Sequence, residues 1–329
     1  MKVGIVYDLK ESYGIEDSNI HYEDFSTLSE IHGINKSLEF NGYETELIGS
    51  HSDFVKQIKD GNFKSDLIFN MSEGFNSINR EALIPSTCEL FKIPYTFSDS
   101  HAMNLTLDKH QTLLFAKDLG INIPNGFLYV PECDSLDDVE KKVKKYGLKY
   151  PLVCKPNYEG TSMGITFVKS IDELKQAITY LITMYNEPIR CDEYIEGREI
   201  AVPIIGTGKN AECLSVVEYQ TLEGNPIKFY THKYKRHGAH KTIFADYGQK
   251  INSLIFDVAL TIHKNIPCYD LSRIDMRLCN GKPYLLEVTP LPDLTRNTTF
   301  ERSANRKGIS FDEIIKFIIE SSISRMKGE

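Results

Sequence analysis

Apolar and polar positions alternate along the chain in two periods, and the switches between them mark out the elements. The opening apolar run Val3–Tyr7 predicts a strand, Ser29–Asn41 a helix, Glu44–Ile48 a strand, and Asp66–Asn70 another strand. Strands separated by helices predict a doubly wound parallel α/β unit. Its last strand empties into Met71-Ser72-Glu73-Gly74, and open parallel sheets place ligands beyond the carboxyl ends of their strands. Glu73 is therefore a candidate substrate contact, with helix capping as the alternative.

Helical spacing resumes over Leu105–Leu119, with Lys109 near its start, and Gly120-Ile121-Asn122-Ile123-Pro124 ends it. Beyond lie a charged amphipathic helix at Ser135–Tyr146, a strand at Tyr150–Pro156, a Gly-rich turn, a strand at Gly164–Val168, a helix at Ile171–Met184 and a strand near Ile189–Tyr194. The last third alternates strands at Glu199–Ile205, Ser215–Tyr219, Ser272–Cys279 and Pro283–Val288 with helices at Ile251–Lys264 and Phe311–Ile323. No internal repeat or long linker divides the chain. The pattern predicts an α/β unit over residues 1–104, an α+β unit over 105–195 and a second over 196–329.

Composition narrows the classes. With 329 residues, 41% hydrophobic and 26% charged, the chain is long enough for several packed layers. The balance of 38 basic against 46 acidic side chains gives −8, which argues against general attraction to nucleic acid or an anionic membrane. Any phosphate site must be local. No apolar stretch approaches the roughly 18 residues of a membrane span. The run Val3–Tyr7 is too short for a signal-peptide core, and the seven cysteines form no CxxC pair. A cytoplasmic protein with reduced thiols is expected.

Three groups of residues carry chemistry. Lys155-Pro156-Asn157-Tyr158-Glu159-Gly160-Thr161-Ser162-Met163-Gly164 places a lysine at a strand end, before small residues whose backbone can approach a polyphosphate. Strand, glycine loop, strand is not the order of a P-loop, where the glycines lead into a helix. A plain β-hairpin with a solvated lysine is the alternative. Asp275 and Glu287 lie on adjacent strands joined by the hairpin signal Cys279-Asn280-Gly281-Lys282, and two carboxylates on one face suit Mg²⁺ that also binds substrate phosphates. Solvent-facing acids are the alternative here. Arg273 shares their strand face and either stabilises an oxyanion or balances the acids.

The residues together resemble the D-alanine:D-alanine ligase branch of the ATP-grasp superfamily. The matching landmarks, in order, are Asn70-Met71-Ser72-Glu73-Gly74, Ile93-Pro94-Tyr95-Thr96, Leu107-Asp108-Lys109, Lys155 to Gly164, Glu193-Tyr194-Ile195-Glu196-Gly197-Arg198-Glu199, Lys233-Tyr234, Arg273-Ile274-Asp275 and Leu286-Glu287-Val288-Thr289-Pro290. The resemblance implies an ATP-grasp fold behind an N-terminal α/β domain. It implies that ATP phosphates meet Lys109, Lys155, Lys233 and the loop at Gly160 and Ser162, that adenine meets Glu193, Tyr194 and Ile195, and that ribose meets Glu199. Asp275 and Glu287 would bind one or two Mg²⁺, with Mn²⁺ as a substitute and Thr289 beside the second metal. Tyr234, Glu159 and Thr161 would latch a closing loop, which accounts for the basic segment Lys228–Lys241 in an acidic protein.

The implied reaction phosphorylates one substrate's carboxylate and lets the other's amine attack the acyl phosphate, with Arg273 on the oxyanion. The implied partners are amino-acid or peptide substrates and a second copy of the chain in a homodimer. The sequence departs from the family pattern beside the second metal and at the substrate sites. Thr289 stands where the family has asparagine, and Asp293 where it has glycine; Asp293, Glu73 and Thr298 are candidate substrate contacts. The family's Gly-Gly-x-Ser-x-Glu run, which holds the first D-alanine's ammonium, gives way to Tyr7-Asp8-Leu9-Lys10, leaving Glu11, Glu16, Asp17, Glu23 and Asp24 as replacements. A ligase for another amino acid, peptide or protein tail therefore stands beside a D-alanine ligase, and a nucleotide-binding protein with weakened turnover is the third reading.

Overall fold

The computed structural model describes residues 1–16, 22–228 and 240–327. Among them the chain begins β1 (Lys2–Tyr7), α1 (Leu28–Phe40), β2 (Glu44–Gly49), α2 (His51–Lys59), β3 (Leu67–Met71), α3 (Leu83–Phe91) and α4 (Ser100–Leu107). The strands form a parallel sheet in the order β2-β1-β3. Period-two alternation sends Val3, Ile5, Leu67 and Phe69 to one face and Val6 and Ile68 to the other. The first face packs on Ile34 and Leu38 of α1, the second on Phe54 of α2 and Ile84 of α3. Both faces are covered, as parallel sheets require, and each fully buried aliphatic side chain contributes about 1.5–3 kcal/mol.

The central unit holds α5 (Lys109–Asp118), β4 (Gly126–Tyr129), α6 (Asp138–Lys145), β5 (Leu152–Pro156), β6 (Thr166–Val168), α7 (Ile171–Tyr185) and β7 (Ile189–Glu193). Its antiparallel sheet runs β4-β7-β5-β6 and packs on Leu174, Ile178 and Leu181 of α7. The remainder comprises β8 (Arg198–Ile205), β9 (Glu212–Cys213), β10 (Val217–Thr221), β11 (His240–Phe244), α8 (Gln249–Asn265), β12 (Leu271–Cys279), β13 (Lys282–Thr289), α9 (Thr299–Asn305) and α10 (Phe311–Lys327). Its antiparallel sheet runs β11-β10-β8-β12-β13, with β9 on β8. One face buries Ile200, Val202, Ile274, Met276 and Val288 against Leu113 of α5 and Ile255, Ala259 and Ile262 of α8. Helix α10 returns to the first sheet through Ile314, Ile315 and Ile318.

One expected element is two. The helix expected over Leu105–Leu119 breaks at Asp108, whose extended backbone (φ −78°, ψ 95°) ends α4 while its side chain caps α5 at Gln111 N–H. Asn157 Nδ2 donates to the same carboxylate at 2.8 Å. A long-range tie thus decides the break, and Lys109 becomes the first residue of a helix. No helix among the described residues is long and apolar enough to cross a membrane, and all seven cysteines are free thiols.

Candidate functional site

The hairpin of β12 and β13 turns at Asn280 and Gly281, both at positive φ (49° and 74°), the type I′ geometry that Asn-Gly favours. This turn sets the register as far as Met276 with Leu285; a β-bulge at Leu286 then shifts it by one residue, which pairs Asp275 with Glu287 and Arg273 with Thr289. Directly opposed residues share a sheet face, as do residues two apart, so the four form one block. Their neighbours Ile274 and Val288 face the core.

Arg273 grips Asp275 with Nε at 2.9 Å from Oδ1 and Nη2 at 2.7 Å from Oδ2, and Nη2 also reaches Thr289 Oγ1 at 3.4 Å. Burial disfavours the Arg273 cation, but the adjacent Asp275 carboxylate outweighs it and holds the guanidinium above the usual arginine range. Lys109 reaches the block from α5: its Nζ lies 2.9 Å from Glu287 Oε1 and donates to Glu159 O at 2.5 Å. Lys155, at the end of β5, sits 3.7 Å from Asp192 Oδ2, whose other oxygen is held by Arg190 Nε at 2.6 Å. Burial pushes the Lys155 ammonium below the usual lysine range, and Asp192 opposes that.

The loop after Lys155 is held at unusual dihedrals. Thr161 and Ser162 both have positive φ (47° and 61°), uncommon for side chains other than glycine, and Gly164 (φ 67°) lies where a Cβ would come 2.6 Å from the Pro156 ring. Such geometry persists only where surroundings impose it. Here Lys109 binds Glu159 O, and Arg80 Nη1 donates to Tyr158 O at 2.8 Å.

Two hollows meet at this block. A narrow one of about 100 Å³ is lined by Lys109, Lys155, Glu159, Ser162, Glu199 and Asp275. A wider one of about 430 Å³, within the usual range for small-molecule sites, is lined by Glu73, Lys109, Gly160, Thr161, Glu287, Thr289 and Asp293. Arg273, Tyr219, Lys109 and Glu287 border both.

The structure thus brings together Lys109, Lys155, Glu159, Gly160, Thr161, Ser162, Arg273, Asp275, Glu287 and Thr289. Glu199 joins them through the narrow hollow and lies 3.0 Å from Arg277 Nε. Glu193, Tyr194 and Ile195 border neither hollow. The Glu193 and Tyr194 N–H groups already bond Asn125 O and Pro151 O, and Ile195 O accepts from Arg277. Lys233 and Tyr234, like Asp17, lie outside the described residues. Thr298 borders neither of the two hollows at the block; its hydroxyl caps α9 at Glu301 N–H and donates to Thr295 O at 2.9 Å. The Asp293 carboxylate accepts from Thr295 Oγ1 at 3.0 Å. Of the N-terminal loop acids, Glu23 and Asp24 line the wide hollow, while Glu11 and Glu16 are exposed.

Sequence reasoning missed Glu81, Arg80 and Tyr219, and it held Asn70 only as a strand end and a landmark of the resemblance. Tyr219 read only as a strand residue, and Arg80 and Glu81 sit in a stretch without periodicity. Burial pushes the Tyr219 phenol up to about 12.

Asp275 and Glu287 offer the hard oxygens that Mg²⁺ selects, in register on one face. Among the described residues no group of three or more His, Cys, Asp or Glu could hold a metal by itself. Two carboxylates beside two lysines fit a cation that arrives on phosphate oxygens and is not caged by protein alone.

Two antiparallel lobes that close on a hollow lined by lysines and carboxylates, behind a parallel α/β unit, define the ATP-grasp fold. The structure aligns over 100% of this chain and 99% of a crystallised D-alanine–D-alanine ligase of Bacillus anthracis complexed with ATP, at TM-score 0.79 and 21% identity. In sequence, an uncharacterized protein of Sinorhizobium fredii is 30% identical over 80% of this chain and 76% of its own length. The D-alanine–D-alanine ligase of Thermotoga petrophila is 28% identical over 90% and 91%. The family model described as "D-ala D-ala ligase C-terminus" matches residues 115–320. The chain belongs to the D-alanine:D-alanine ligase family.

Proposed function

We propose that the protein is an ATP-dependent carboxylate–amine ligase that joins two small amino-acid substrates through an acyl phosphate. The observation that carries this reading is the convergence of Lys109 and Lys155, from different elements, on the Arg273–Asp275–Glu287 block. In the first step a substrate carboxylate oxygen attacks the γ-phosphorus of ATP, forming the acyl phosphate and releasing ADP. In the second, the amine of the other substrate attacks the acyl carbon, a proton leaves the nitrogen, and phosphate departs.

Lys109 and Lys155 neutralise phosphate oxygens, and the backbone at Gly160–Ser162 follows the polyphosphate. Arg273, its Nε and Nη2 held by Asp275, presents Nη1 where negative charge develops on the acyl oxygen. Asp275 and Glu287 hold Mg²⁺, which when bound neutralises phosphate charge. The salt bridges of these acids to Arg273 and Lys109 keep all four side chains placed. Glu199 faces the ribose from the narrow hollow, and the resemblance alone assigns Lys233 and Tyr234 to shielding the acyl phosphate from water that would hydrolyse it. The sheets fall within residues 1–104, 105–195 and 196–329, which supports the division into three domains. A cytoplasmic homodimer completes the reading.

The test is ADP release by the full chain with ATP, Mg²⁺ and a panel of D- and L-amino acids, singly and in pairs. Amino-acid-dependent ADP with a dipeptide in the mass spectrum is expected, and its absence across the panel would overturn the proposal.

A further inference from the structure

The wide hollow is lined by charges of both signs. Lys109 and Arg273 border the phosphate-side pocket as well. Asp24, Glu73 and Glu81 also line the wide hollow. Arg80 is the counter-charge that bears on all three, lying 3.7 Å from Asp24 Oδ2 and spending Nη1 on Tyr158 O, while Lys109, which also bears on Glu81, is already matched by Glu287 at 2.9 Å. Neither Glu73 nor Glu81 makes a hydrogen bond or ion pair with another described residue. Burial, reinforced by Glu81 and Asp24, raises Glu73 well above the usual carboxylate range, and burial, opposed by Arg80 and Lys109, brings Glu81 to about 7.

Asn70, fully buried at the end of β3, also lines this hollow. Its Oδ1 accepts from Ser72 N–H at 3.0 Å, while its Nδ2 has no partner. A buried amide donor left open beside a hollow is costly unless a ligand oxygen meets it.

Charge counting then selects the ligand. Three carboxylates against one guanidinium leave two negative charges uncompensated when all are ionised. The α-ammonium of an ordinary amino acid answers one of them, and a buried charge without a partner is strongly disfavoured. We infer that the substrate whose carboxylate is activated is an amino acid with a second cationic group on its side chain. Its carboxylate faces Lys109 and Arg273, its two cations are shared among Asp24, Glu73 and Glu81, and Asn70 Nδ2 donates to one of its oxygens. This inference rests on the ligase reading for which substrate is activated, and the charge complement itself does not depend on turnover.

The experiment is isothermal titration of the full chain, with Mg²⁺ and a non-hydrolysable ATP analogue present, against ornithine, lysine and alanine, each as both enantiomers. One dibasic amino acid should bind about tenfold or more tighter than alanine of the same hand. Glu73→Gln and Glu81→Gln should each weaken that dibasic ligand about tenfold and alanine less than about threefold. An unchanged affinity for the ATP analogue establishes that the variants are folded. Alanine binding as tightly as every dibasic amino acid, or variants that weaken both ligands equally, would overturn the inference. ADP release separates the two readings. Alanine-dependent ADP with none from dibasic amino acids sinks this inference and leaves the ligase standing. Tight dibasic binding with no ADP from any amino acid keeps the inference and sinks the ligase.

Discussion

Lys109 Nζ sits 2.9 Å from Glu287 Oε1 while donating to Glu159 O at 2.5 Å, so one ammonium joins α5, the loop after β5 and the end of β13. The group proposed for phosphate therefore also places a metal carboxylate and the strained loop. Lys109→Met should lower kcat/KM for ADP formation by about 10²–10³-fold, the scale of removing one preorganised charge donor. Steady-state kinetics alongside a thermal melt check this, since a loss matched by a collapse in Tm would point to scaffold alone.

Arg273 holds Asp275 in a bidentate grip that lysine cannot reproduce. Arg273→Lys keeps the charge and loses the fork. The expected outcome is a fall in kcat of about tenfold or more with KM for ATP within about threefold, because an interaction made in the transition state is lost while ground-state binding is kept. A change confined to KM for ATP would count against the oxyanion role.

The shared cap at Asp108 is a stability prediction. Its carboxylate accepts from Gln111 N–H at 2.9 Å and from Asn157 Nδ2 at 2.8 Å, tying the start of α5 to the loop that follows Lys155. Asp108→Ala should cost about 1–2 kcal/mol in urea unfolding. Asp108→Asn, which keeps an acceptor oxygen, should recover most of it.

His263 on α8 is fully buried between Ser272 Oγ at 2.7 Å and Gly206 O at 3.2 Å. Burial lowers its pKa from 6.5 to about 4. Below pH 6.5 the unfolded chain takes up a proton that the folded chain refuses, so stability is full above that pH and is lost as the pH falls toward 4. The loss should reach roughly 3 kcal/mol. Urea titrations at pH 7 and 4.5 on the parent and on His263→Asn test it. The variant should lose less stability over that range, and an equal pH dependence in both proteins would place the titration elsewhere.

Much of the site could be read from the chain because its chemistry is local. Arg273 and Asp275 are two apart on one strand, and Asn280-Gly281 marks the turn that returns Glu287 beside them, so the sequence places the three charges near one another; the β-bulge at Leu286, which turns Glu287 onto their face, was not legible. Lys155 and the residues after it are likewise consecutive. What pairs with each charge was not legible: Lys109 with Glu287, Lys155 with Asp192, and Asp108 with Asn157 span gaps that no local rule closes.

The acids of the wide hollow show the same boundary most clearly. Glu73 stood out because it follows a parallel strand, where such sheets open to ligands. Asp24 was one of five loop acids with nothing to rank them, and Glu81 carried no signal at all. Folding assembles them with Asn70 around one cavity and sets Arg80 beside them. The sequence alone pointed to the reaction class through the order and spacing of the landmarks that resemble the ligase family, because order and spacing are properties of the chain itself. Which acids surround the wide hollow was decided only by tertiary structure, because burial and the distances between groups far apart in the chain exist only once the elements pack.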